Sequence, residues 1–239
     1  MLSEHIENGP RKIHFLLTTG FSLFGLSSML GPLRHANSIN GLPLYEWELV
    51  SEFGNLVTSS DSIDIMTDVS IKDVDQCETL IICSGCHDPQ TVSSPAVLSF
   101  IRQQSYFGSD IGCQDMGAHI AAAAGILDGY RAAVHWENHE STQALFPNVE
   151  FVQELLVIDR NLFSCPGGLS GLDMMLYLIR IQHDQQLATR VADELIYTHQ
   201  RANAGPQRRS LQIRLDSRNK HLIEAVQLME RNIEEPLYI

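Results

Sequence analysis

The sequence predicts an α/β fold, a doubly wound and mostly parallel sheet flanked by helices. Three observations carry that prediction. Short apolar runs alternate with helical patterns at the spacing of β-α-β units. The runs IHFLLT (residues 13–18) and TLIIC (residues 79–83) are short and mostly apolar, as strands covered on both faces are. The stretch from Gly108 to Trp136 reads as strand, tight turn, helix and strand in one unit.

After the first strand, Thr19 and Gly20 lead into a helical pattern that starts at Phe21 and runs to about residue 38. Residues 45–51 are the next strand. Residues 56–66, alternating around Ile63 and Ile65, form a small excursion or hairpin. Strand 79–83 enters the loop SGCHDPQT, and Ser94 or Pro95 opens a helix to about residue 104. In the next unit a short turn at residues 114–116 precedes Gly117. The small side chains of AHIAAAAG let the helix lie close to the sheet until Gly125 and Gly129 end it.

Residues 137–147 give a short helix stopped by Pro147. Residues 150–158 and 161–164 read as a strand pair around a turn at Asp159 and Arg160, with a long helix in PGGLSGLDMMLYLIRIQH after it. Asp173 in that helix is expected to face inward as a hydrogen-bonding partner. Residues 185–200 make a further helix, which with the one before it is a candidate dimer interface. Residues 201–217 are a linker by composition, broken by Gly205 and Pro206, and residues 218–239 hold one amphipathic helix stopped near Pro236.

Composition excludes several function classes. At 239 residues the chain suffices for one large α/β domain with a short appendage. No apolar run approaches the roughly 20 residues of a membrane span, and the polar N-terminus lacks a signal-peptide core, so a soluble, cytoplasmic protein is expected. Five cysteines, Cys77, Cys83, Cys86, Cys113 and Cys165, are odd in number and irregularly spaced, which suits reduced thiols. Of the net charge of −13, residues 1–206 carry −14 (ten Lys and Arg against twenty-four Asp and Glu). So acidic a body repels phosphate backbones.

Ligand sites in doubly wound sheets lie beyond the carboxyl ends of the strands, which puts the loops after Thr18, after Cys83, around Asp115 and around His135 on one rim. Asp115 at the strand-to-helix turn reads as a carboxylate aimed at a ligand or as a helix N-cap. Cys113, two residues earlier, belongs to the strand, where a cysteine acts as a small hydrophobe. His135 reads as a contact for Asp115 or a ligand, or as a satisfied histidine at a strand end; Trp136 as pocket wall or core; Glu137 as a neighbour of a helix cap or a site residue. Cys83, Cys86 and His87 spell C-x-x-C-H, but no haem domain accompanies them. Only scattered histidines, His119 and His139, are on offer for zinc, so neither metal nor cofactor is expected. Gly167 and Gly168 lack phosphate-loop spacing and read as packing glycines.

The segment MGAHIAAAAGILDGYRAAVHWEN resembles the T-G-A, L-A-x-A-G-L-L-D-G and T-x-H-W-E blocks of GlxA-like, AraC-family transcriptional regulators. SCPGGLSGLDMMLYLI is similar to that family's C-x-G-G-x-x-x-x-D-M-M-L block, and GPLRHAN adds support. The resemblance implies a class I glutamine amidotransferase-like, PfpI-like sensor domain over residues 1–200 with a flavodoxin-like sheet. HLIEAVQLMERNIEEPLYI resembles the first helix of an AraC-type helix-turn-helix region without either recognition helix. DNA is therefore expected as a partner only through that region, and a homodimer is expected. Members most similar in the H-W-E region respond to small amino-acid-like or quaternary-amine metabolites. The implied ligand contacts are Asp115, Met116, His135, Trp136 and Glu137, with Cys83, Ser84, Gly85 and Phe21 from adjoining loops. Where superfamily enzymes hold a cysteine nucleophile this chain has Asp115, so no catalytic residue is assigned. The alternative is a PfpI-like hydrolase or lyase using Cys113.

Overall fold

In the computed structural model, which describes residues 9–85, 94–199, 201–217 and 219–231, the chain forms two compact units that divide after Gly205. The first is built on a seven-stranded sheet. β1 (Arg11–Leu17) lies inside it, next to the central strand, pairing in parallel with β2 (Tyr45–Ser51) on one side. β3 (Leu56–Thr58) and β4 (Asp64–Met66) make the expected hairpin, and β5 (Val69–Ser70) adds to the outer edge of β2. On the other side of β1 come β6 (Thr79–Cys83) and β7 (Asp110–Gln114), both parallel. β8 (Arg131–Ala133) and β9 (Glu150–Val152) pair with each other alone, and β10 (Val157–Asp159) runs antiparallel to β11 (Leu162–Cys165), which is parallel to β7. The order is β10-β11-β7-β6-β1-β2-β5.

Residue parity on the strands sorts the core into two clusters, one on each face. Phe15, Leu17, Ile81, Cys83, Phe163 and Cys165 meet α1 (Leu23–Asn40), α5 (Ser170–Gln182) and α6 (Gln185–Glu194). Leu16, Leu80, Ile82, Ile111 and Cys113 meet α2 (Pro95–Tyr106) and α3 (Gly117–Ala123). α1 is capped by Ser22, whose Oγ accepts the Gly25 N–H, and α2 by Ser94 with Pro95 in its first turn. The remaining helices are α4 (His139–Leu145), α7 (Leu211–Arg214) and α8 (Lys220–Arg231).

Three expectations are corrected. Residues 150–158 do not form one strand: β9 pairs with β8, and the chain crosses to β10 while the N–H groups of Leu155 and Leu156 both donate to the Asn203 carbonyl. β8 is tied to the main sheet by side chains instead of a ladder, with Arg131 N–H bound to Asp159 Oδ2 and Ala133 N–H to Ser164 Oγ. The helix at 185 ends at Glu194 and not near 200, because Ile196 turns to φ 55° and Tyr197 N–H closes back on the Ala192 carbonyl. Residues 201–205 pack within the first unit, and the stretch read as linker contains α7. In the second unit Arg214 of α7 pairs with Glu230 of α8 at 3.0 Å. Residue 200 and the end of the chain beyond 231 lie outside the described residues.

Asp173 faces inward, as expected. It is 2% exposed and binds Tyr197 Oη at 2.8 Å, Arg201 Nε at 2.9 Å and Arg201 Nη2 at 2.7 Å.

Candidate functional site

The carboxyl ends of β1, β6, β7 and β11 form the rim, and the turn after β7 is its sharpest point. Asp115 sits there at φ 57°, a left-handed conformation that costs most side chains about 1 kcal/mol or more and that aspartate tolerates. The turn is held from both sides. Asp115 N–H donates to the Cys165 carbonyl at 3.0 Å, and Gly117 packs so closely on the Ile82 carbonyl that any Cβ would collide with it. Opposite, a Cβ at Gly167 would lie 2.9 Å from Asp115 Oδ2, so glycine at 167 lets the α5 loop close on the carboxyl group.

The carboxyl of Asp115 is not spent on capping. Met116 occupies the N-cap of α3 and the helix has no side-chain cap bond. Oδ1 is buried and has no hydrogen-bond partner among the described residues. Burial, then the nearby Glu137 carboxylate, push this group up to about 7, against one stabilising hydrogen bond from Met116 N–H. The group thus changes charge near neutral pH, where an incoming cation would favour the ionised form.

His135 follows β8 and begins a short 3₁₀ turn through Trp136 and Glu137. Its Nδ1 accepts the Glu137 N–H at 3.4 Å and lies 3.6 Å from Glu137 Oε2. Burial holds this histidine below its ordinary value although Glu137 pulls the other way, so the neutral ring with a proton on Nε2 fits the Nδ1 acceptor role. The half-buried Trp136 ring leans on it, centroids 5.5 Å apart. Glu137 raises both Asp115 and His135, which makes it the electrostatic link between the elbow and the 135–137 turn.

The structure places the side chains of three of the expected ligand contacts in the core. Phe21 and Cys83 are 0% exposed within the α1/α5 cluster, and Met116 is 0% exposed within the α2/α3 cluster. The reasons are local. Gly20 turns the chain at φ 76° so that the Phe21 ring drops inward, Cys83 shares the strand parity of Ile81, and Met116 points down beneath α3. Ser84 is buried too, its Oγ accepting from Thr18 Oγ1 at 3.1 Å, and Gly85 lies so close to the Gly20 carbonyl that no side chain fits. Cys86 and His87, and with them the C-x-x-C-H pattern, lie outside the described residues.

Burial pushes the four described thiols upward, Cys77 and Cys165 to about 12, and Cys83 and Cys113 are likewise raised well above the ordinary thiol value. A thiol so raised is not a thiolate at neutral pH and is a poor nucleophile. Alkylation of the folded protein with iodoacetamide at pH 7.5 should leave Cys113 unlabelled until the protein unfolds; rapid stoichiometric labelling mapped to Cys113 would restore it as a nucleophile. His119 binds Thr142 Oγ1 at 3.4 Å and His139 binds the Phe151 carbonyl at 2.9 Å. Among the described residues no three His, Cys, Asp or Glu side chains are grouped to hold a metal, and no helix is long and apolar enough to cross a membrane.

The model of the DJ-1/PfpI family matches residues 11–181. The HTH-type transcriptional regulator GbdR of Pseudomonas aeruginosa is 36% identical over 228 residues, which cover 95% of this chain and 62% of that protein. The chain therefore spans less than two-thirds of the length of that regulator. The HTH-type transcriptional regulator GlxA of Rhizobium meliloti is 31% identical over 227 residues, 95% of this chain and 70% of that one. A crystal structure of an AraC family transcriptional regulator from Pseudomonas putida superposes with a TM-score of 0.72 at 22% identity, covering 78% of this chain and 100% of its own, a likeness of fold.

Proposed function

This chain belongs to the DJ-1/PfpI family, and from that premise we propose that it is the ligand-sensing part of an AraC-type transcriptional regulator. It binds a small amino-acid-like or quaternary-amine metabolite at the rim made by Asp115, His135, Trp136, Glu137 and the backbone of residues 84–85, and it performs no catalysis. The observation that carries this reading is the Asp115 carboxyl: held in a left-handed turn, with one oxygen buried and unpaired, and titrating near 7. The regulator names of GbdR and GlxA support the class. Residues 218–239 are proposed as the first helix of an attached helix-turn-helix region, the part that would meet DNA.

The test is a thermal-shift and calorimetric screen of amino acids, guanidino compounds and betaines. One class should raise the melting temperature, and Asp115→Ala should abolish that response. A compound whose binding survives Asp115→Ala unchanged would move the site elsewhere.

A further inference from the structure

The residue before Asp115 carries a second unexplained group. Ile111 and Cys113 of β7 point into the α2/α3 cluster, so Gly112 and Gln114 point to the other face. Gly112 makes room there for the Phe163 ring, and the Gln114 side chain ends beneath α1. Gln114 is 0% exposed, and neither its Oε1 nor its Nε2 has a hydrogen-bond partner among the described residues. Its amide presses on Gly25 in the first turn of α1, where a Cβ would collide with Nε2. The two walls of this place are joined by Ser28, whose Oγ lies 2.7 Å from the Gly25 carbonyl and 3.1 Å from that of Gly168. Gly167, next to Gly168, is the residue that closes on Asp115. Gln114 and Asp115 are thus consecutive residues whose walls, Gly25 of α1 and Gly167 of the loop before α5, are tied together through Ser28.

Resting on the reading of the elbow as an effector site, we propose that Gln114 is a specificity-determining residue of that site. With Asp115 it selects an effector bearing N–H donors and a carboxyl acceptor over a quaternary ammonium compound. The unpaired set is two acceptors, Asp115 Oδ1 and Gln114 Oε1, and one donor, Gln114 Nε2, and exchanging the amide oxygen and nitrogen leaves that set unchanged. A primary ammonium or guanidinium group satisfies both acceptors, and a carboxylate takes the amide N–H. A quaternary ammonium has no N–H and leaves two buried acceptors unpaired, the circumstance in which a polar site rejects an analogue most strongly. Among the described residues the ligand-free fold leaves this buried amide unpaired, at a cost that binding would remove.

Gln114→Met keeps the length of the side chain and removes both polar atoms. The probes are glycine, N-methylglycine, N,N-dimethylglycine and trimethylglycine, one carboxylate with three N–H bonds falling to none, titrated calorimetrically into the full chain. The wild type should lose about tenfold or more in affinity between glycine and trimethylglycine. Gln114→Met should flatten that difference and should melt higher than the wild type without ligand. A variant that melts lower, or fails to fold, shows the amide paired within the protein and overturns the proposal. So does a wild type that binds trimethylglycine as well as glycine or binds none of the four, and so does a Gln114→Met that keeps the full difference. Binding lost in Asp115→Ala with discrimination intact in Gln114→Met sinks this inference alone. Discrimination lost in Gln114→Met with binding intact in Asp115→Ala sinks the Asp115 reading and, with it, the share of the selection assigned to Asp115.

Discussion

Asp115→Asn should stabilise the ligand-free protein at pH 8 by about 2–4 kcal/mol and leave its stability at pH 4 unchanged. Asparagine fits the left-handed turn as aspartate does, so the substitution removes charge without adding backbone strain. The sign follows from the proton count. The carboxyl ionises at 3.8 in the unfolded chain and at about 7 in the fold, so between those values the native state holds a proton that the unfolded state has released. Stability therefore falls as pH rises from about 4 to 7, at about 1.4 kcal/mol for each unit of pKa difference, reduced by the partial exposure of the group. Above 7 the cost is fully present, and the neutral amide avoids it. Thermal unfolding across pH 4–8 reads this directly: parallel curves for the two proteins would show that Asp115 is solvated like any surface carboxylate. The same property predicts that a cationic effector binds more tightly as pH rises through 7 and releases a proton when it binds below that.

Arg201→Ala should destabilise the first unit by about 3 kcal/mol or more, because it strands the Asp173 carboxylate, 2% exposed, without its counter-charge. Tyr197 Oη and the residue 201 backbone N–H still donate to Oδ1, but Oδ2 loses both guanidinium contacts. Adding Asp173→Asn should recover part of the loss, since a neutral amide is cheaper to bury than an unpaired charge. Urea unfolding of the three variants, read at constant m-value, checks the pair. A double variant no more stable than Arg201→Ala would show that lost contacts, not a stranded charge, set the cost.

Much of the fold was legible because it is written locally. The apolar runs at 13–18 and 79–83 are strands since only a doubly covered sheet tolerates them, and Gly117 followed by small residues marks a helix pressed to the sheet. The H-W-E triplet could be seen, but not that Glu137 acts on both Asp115 and His135. Parity at the strand ends was not legible: Phe21, Cys83 and Met116 sit beside the rim in sequence and turn into the core in space. Nor was the break at 152–157, which depends on Asn203, some fifty residues on.

By itself the sequence determined the parallel α/β architecture, the elbow at residues 114–117 and the presence of a carboxylate, Asp115, in its turn. Only the tertiary structure decided which groups there are satisfied and which are not. Pairing depends on what distant segments bring together: among the described residues, α1 beside Gln114 and Gly167 beside Asp115 give the Gln114 amide and Asp115 Oδ1 no partner, whereas Arg201 returns to meet Asp173. Hydrophobic pattern encodes burial residue by residue, but the polar balance of a buried site is set by packing across the whole fold.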